Sequence, residues 1–133
     1  MSKEQLQKVM DEFPLLGTEG MYIVRVSSLE TQRKELAESV RAFDSIYRWL
    51  ECIKPIKTIN RWHTSYGLKH IAADDGAGYA TNGTFIAAAL ARGYTHVRAY
   101  GGVSMSFGMS ERSIKAATKR AGIKRRESVH GMG

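Results

Sequence analysis

The stretch Phe107-Gly108-Met109-Ser110-Glu111-Arg112-Ser113-Ile114-Lys115-Ala116-Ala117-Thr118-Lys119-Arg120-Ala121-Gly122-Ile123 decides how the chain is read. It predicts a tight turn at Gly108 and a helix opening at Ser110. A serine suits that N-cap, because its hydroxyl accepts from a first-turn amide that has no partner within the helix. Glu111 puts a negative charge at the positive end of the helix, and Lys119 and Arg120 put cations at the negative end. Gly122 followed by Ile123 predicts the stop, with the glycine left-handed. Ile114, Ala117 and Ala121 form a narrow apolar stripe, and Arg112, Lys115 and Lys119 lie off it. Small residues inward and cations outward suit a helix laid against a polyanion; the alternative is an ordinary surface helix with a solvated face.

The charge of the whole chain leans toward this end. The 133 residues carry a formal +7. Residues 1–55 are close to neutral, 56–110 are moderately basic, and the largest excess lies beyond 110, including Lys124-Arg125-Arg126. A localised basic patch is the footprint of phosphate contact, although it also serves solubility or an acidic protein partner. The length predicts one domain over 1–133. Within it, 1–55 supply an N-terminal helix, a strand and a long helix, 56–126 a basic helical unit, and 127–133 a tail. No apolar run is long enough to span a bilayer and no signal-peptide pattern opens the chain. The single Cys52 leaves no intrachain disulfide, so a reducing bacterial cytoplasm is expected. Cys52 itself reads as a buried thiol on a helix.

Working toward the N-terminus, Leu6, Val9, Met10 and Phe13 predict a helix over 2–13, closed by Pro14. Residues 21–26 read as a short strand whose partner is 95–100. Ser27 and Glu30 fit a capping box. From there Leu29, Leu36, Phe43 and Leu50 recur through one long scaffold helix, ended by Pro55, with Arg33 among its solvated charges. Thr64 or Ser65 caps a helix to about Asp74. Thr81 or Asn82 caps another over 83–92, with Gly93 as its stop and alanines that permit close packing. The fold class is therefore α+β and mainly helical: a scaffold helix, a short two-stranded element, and a C-terminal three-helix unit.

Phe107, Gly108, Met109, Ser110 and Ile114 resemble the turn and recognition helix of the bacterial helix-turn-helix motif. Residues 100–106 carry Gly101, Gly102 and Ser104, so the resemblance is confined to 107–123 and the helix-turn-helix character is partial. It implies that Arg112, Ser113 and Lys115 lie near a DNA groove. Lys119, Arg120, Lys124, Arg125 and Arg126 would neutralise phosphates, with Arg61 and Lys69 extending the patch. A second stretch, Ser65-Tyr66-Gly67-Leu68-Lys69-His70 with Tyr79-Ala80-Thr81-Asn82-Gly83-Thr84-Phe85, looks like small proteins carried by bacterial phages and plasmids.

Catalytic chemistry finds less support. His70 and Asp74 are spaced to pair on a helix, but no second cysteine or close histidine pair completes a zinc set. Asp74 and Asp75 lack the further carboxylate that a two-metal site needs. Gly76-Ala77-Gly78 lacks the lysine of a nucleotide loop. Trp62 is expected in the core, with Tyr66 and His63 at a polar rim; the other reading stacks these aromatics on bases. The expectation is a non-enzymatic nucleic-acid-binding protein, DNA before RNA, with no catalytic residue, metal or cofactor. The rival is a protein that binds and inhibits a host nucleoprotein or defence complex. Either helix of the N-terminal half offers a seam for a homodimer.

Overall fold

In the computed structural model, which describes residues 2–22, 28–99 and 102–132 with side chains through 126, a mainly helical α+β fold winds around one central helix, α5 (Asn82–Arg92). Its sequence is apolar or small almost all the way round, and such a helix belongs inside. Every residue from Asn82 to Ala89 is buried. Thr81 is the N-cap, its hydroxyl accepting from Thr84 N, and Gly93 ends the helix in the left-handed conformation. The short alanine side chains admit neighbours on several sides: α1 (Ser2–Glu12), α3 (Val40–Trp49), α4 (Ser65–Ala72) and the hairpin of β1 (Leu16–Gly17) and β2 (Gly20–Met21). Gly83 sits where α5 meets that hairpin. Its amide donates to Thr18 O at 2.9 Å, and a Cβ there would run into the Gly17 carbonyl.

The expected scaffold helix is two helices. α2 (Leu29–Ala37) is capped by Ser28, and α3 begins only after Ser39, whose ψ of 33° leaves the helical region. The Ser39 hydroxyl donates to Glu35 O, closing the first piece. The break lets the two pieces serve different partners. α2 lies on β1 and buries Gln32 and Leu36, whereas α3 lies on α5 and buries Phe43 and Ile46. Arg33, read as solvated, donates instead to the carbonyls of Met10, Phe13, Pro14 and Leu16 at 2.9–3.0 Å. It thereby clamps the C-terminal end of α1 to the segment that follows it.

The strand pairing also differs from expectation. Of 21–26, Met21 closes the β1–β2 hairpin, and 23–27 lie outside the described residues, as does Tyr100. β4 (His96–Arg98) pairs instead with β5 (Met105–Met109), and β3 (Pro55–Asn60) pairs with the other edge of β5, all antiparallel. Gly108 is therefore in a buried central strand and not in a turn. Pro55 pairs with Met109 and Asn60 with Phe107, so 56–59 bulge out opposite Gly108 alone. A side chain at 108 would meet the Ile56 carbonyl and the Thr95 hydroxyl, which explains the glycine without any turn. Phe107 packs on Phe85 of α5, with ring centroids 6.3 Å apart. The turn expected at Gly108 is thus absent, because Met105–Met109 is a buried central strand.

α6 (Glu111–Met132) does begin at the predicted place, with the Ser110 hydroxyl accepting from Ser113 N. It does not stop at Gly122. That glycine is not among those with positive φ, and the helix continues through the segment read as a tail. The three helices predicted after Pro55 exist, but β4 and β5 separate the second from the third, and α5 is the core of the whole chain and not a brace within a C-terminal unit.

Candidate functional site

α6 presents two different basic faces. Ile114, Ala117 and Ala121 are buried, as their spacing predicts. Arg112, Lys115 and Lys119 are exposed, and Arg112 and Lys119 have no ion pair among the described residues. Ser113, expected near a groove, accepts from Lys54 N at 3.1 Å and serves the fold. Arg120 and Lys124 turn the other way, onto Asp75. Arg125 lies 3.8 Å from Asp74, while Arg126 is exposed.

Asp75 belongs to a π-helical turn, 73–77, that extends α4 and is kinked at Gly76, whose φ is 106°. The turn drives the carboxylate inward until only 3% of the side chain is exposed. There it accepts from Trp49 Nε1 at 2.9 Å, Arg120 Nη2 at 3.0 Å and Lys124 Nζ at 3.0 Å. Burial alone would raise its pKa; the hydrogen bonds from Trp49, Arg120 and Lys124 and the charge of Arg120 outweigh that and hold it below the usual value. Two of the expected phosphate ligands are therefore committed to an internal partner. The sequence signal was an aspartate beside helix-breaking glycines, which reads more readily as a loop.

The other surface is aromatic. Asn60 is buried at the end of β3, donating to Met109 O at 3.2 Å and to Glu111 Oε1 at 2.9 Å. Its Oδ1 accepts from Trp62 N at 3.1 Å, and Ser106 donates to His63 O at 3.0 Å. His63 Nε2 meets Glu111 Oε1 at 2.9 Å. The Glu111 carboxyl is held below its usual pKa, first by the Asn60 hydrogen bond and, against some desolvation, by His63 and Lys115. These contacts pin the backbone of 60–63 to the start of α6, yet the Trp62 indole does not turn inward. It is 89% exposed, where the core was expected, because the buried turn-forming role falls to Asn60.

Tyr66 and Tyr79 are 57% and 78% exposed. Between them Lys69 is only 8% exposed, with Nζ 5.0 Å from the Tyr66 ring centre and 5.4 Å from that of Tyr79. The His70 ring stands edge-on to Tyr66 at 5.0 Å. Arg61 is exposed next to Trp62. Trp62, Tyr66 and Tyr79 are thus three exposed rings, with Lys69 over one face of each tyrosine and Trp62 on the segment tied through His63 to the first turn of α6. Chemically such a surface stacks and neutralises charge.

His70 and Asp74 form no pair; His70 touches Tyr66, and Asp74 faces Arg125. No group of three His, Cys, Asp or Glu residues among those described is arranged to hold a metal ion. Cys52 is exposed, as the last residue of a 3-10 turn that directs Leu50 and Ile53 inward instead, and Arg120 Nη2 lies 3.2 Å from its sulfur. No helix among the described residues is long and apolar enough to cross a membrane. Comparison of the chain with protein-family models, curated proteins and solved structures gave no match.

Proposed function

We propose that this protein binds nucleic acid without acting on it chemically, and that it holds single-stranded segments on the surface of Trp62, Tyr66 and Tyr79. The observation that carries this reading is the Trp62 indole, 89% exposed on a backbone fixed by Asn60 and Ser106. Lone exposed apolar residues are ordinary. An exposed tryptophan on a pinned backbone, together with two exposed tyrosines that share a lysine, suits stacking on bases, where each base contributes about 1–3 kcal/mol. Arg61, Arg112, Lys115 and Lys119 supply phosphate contacts. This replaces groove reading, since Ser113 is bonded to the Lys54 amide and Arg120 and Lys124 to Asp75.

Titration of single-stranded DNA, RNA and duplex DNA, followed by quenching of tryptophan fluorescence across salt, tests the reading. Single strands should bind more tightly than duplex. Four available cations give a logarithmic salt slope of about −3, at about −0.7 per phosphate contact. Duplex preferred over both single strands, or affinity indifferent to salt, would refute it.

A further inference from the structure

Tyr66, Lys69 and Tyr79 are also one wall of a cleft of about 620 Å³, which extends toward Glu19 of the β1–β2 turn, Glu35 of α2 and Asn82 at the start of α5. That volume falls in the range of small-molecule sites. Two polar groups in it are incompletely matched. Lys69 is nearly buried, yet its ammonium meets no carboxylate and no hydrogen-bond acceptor among the described residues, only the two tyrosine rings. The Lys69 ammonium keeps access to solvent through the cleft, and an anion delivered there would gain a charge-assisted contact. Asn82 is buried with Nδ2 donating to Glu19 O at 3.1 Å and to Ser104 Oγ at 3.2 Å. That orientation leaves Oδ1 as an acceptor without a donor.

The required ligand therefore carries one anionic group for Lys69, a flat ring for an open tyrosine face, and hydroxyl or amino donors for Glu19, Glu35 and Asn82. The two glutamates repel a second anionic group, and the volume exceeds what phosphate alone would fill. We propose that the cleft binds a nucleoside monophosphate unit, with its phosphate on Lys69, its base against Tyr79 or Tyr66, and its sugar hydroxyls or base amino group toward the glutamates. The unit is either a free nucleotide or the terminal nucleotide of a strand. In the second case the inference deepens the reading of the aromatic surface and rests on it; in the first it stands alone.

Calorimetric titration of the full chain with the four ribonucleoside monophosphates, adenosine and ribose 5-phosphate tests this. At least one monophosphate should bind saturably, with adenosine and ribose 5-phosphate each weaker by about 10-fold or more, as expected for loss of a charge-assisted contact or of ring stacking. Lys69→Gln should weaken the monophosphate by a similar factor. Tyr79→Ala, at an exposed position that does not support the core, should weaken it several-fold and keeps the test decisive if Lys69→Gln does not fold. Absence of saturable binding by every monophosphate overturns the proposal, as does binding that ignores the base or survives both substitutions unchanged. Short oligonucleotides with and without a 5′-phosphate then separate the sources. Tighter binding of the phosphorylated strand, competed by the mononucleotide, assigns a strand end. Mononucleotide binding without oligonucleotide binding supports a free nucleotide and removes the single-strand reading. Oligonucleotide binding without mononucleotide binding does the reverse.

Discussion

Replacing Asp75 by asparagine should destabilise the protein by about 2–3 kcal/mol, less than a fully buried ion pair would lose. The carboxylate accepts from Trp49, Arg120 and Lys124 at 2.9–3.0 Å. Hydrogen bonds to charged groups contribute roughly 1.5–3 kcal/mol each, which would give a larger total if they were independent. They are not. Arg120 and Lys124 are 42% and 50% exposed, so both cations return to water when their partner goes. Asparagine also keeps one oxygen for Trp49. What remains is mainly the lost charge of a group held at 3% exposure. For a chain of 133 residues each kcal/mol moves Tm by roughly 3–4 °C, so Asp75→Asn should melt about 6–12 °C lower.

Urea unfolding followed by circular dichroism measures this at neutral pH, and a change below about 0.5 kcal/mol would refute the reasoning, since that is the scatter of ordinary surface substitutions. The pH dependence checks the cause. The Asp75 pKa is lowered in the folded protein, against a rise that burial alone would produce. Its stabilisation is therefore complete above the unfolded value of about 3.9 and is lost as pH falls through the folded one. The stability gap between the native protein and Asp75→Asn should be constant near neutrality and close in acid. A gap that persists unchanged to the acid limit would point to packing and not charge.

Trp62→Ala should leave Tm within about 2 °C, because the indole is exposed, while single-strand affinity falls about 10-fold by loss of one stacked base; unchanged affinity in a filter-binding assay refutes the platform. Gly83→Ala should cost about 3 kcal/mol, since the new Cβ meets the Gly17 carbonyl at a close helix–hairpin contact. Gly67→Ala is its opposite, with open space around the new atom inside α4, and should raise stability by up to about 1 kcal/mol. Thermal melts of the pair decide whether local space or glycine content governs. Arg33→Met should lose about 2 kcal/mol by opening four carbonyls near the end of α1, against under about 0.5 kcal/mol for the exposed Lys34→Met; equal effects in denaturant would count against the clamp.

Where neighbours in sequence settle the structure, it was legible. The helix cap at Ser110, a cap at Thr81 or Asn82, the stop at Gly93 and the apolar stripe of Ile114, Ala117 and Ala121 all follow from local rules, and the structure has them, with Thr81 as the cap. What failed depended on distant segments. The heptad of Leu29, Leu36, Phe43 and Leu50 is continuous in sequence, but α2 and α3 answer to different partners, so the helix breaks at Ser39. Met105 to Met109 lacks a strand signature, with its serine and glycine, yet the fold needs a central strand under α5. Trp62 and Arg33 exchanged expected roles with the surface for the same reason: Asn60 took the buried turn, and α1 ended where a guanidinium could reach it.

The candidate site shifted by the same logic, and the shift bears on what net charge means. A formal +7 counts cations without asking which acids they meet. Asp75 takes Arg120 and Lys124, and Asp74 lies near Arg125, so the face of α6 toward the π-helical turn 73–77 is closer to a structural seam than to a polyanion surface. The cations left open, Arg112, Lys115 and Lys119, lie along the helix whose first turn is tied through Glu111 to His63, next to Arg61 and Trp62. Charge alone would have favoured the far end of α6. Charge together with ring exposure moves the weight of the surface to the near end, where a strand has both a base to stack and a phosphate to pair.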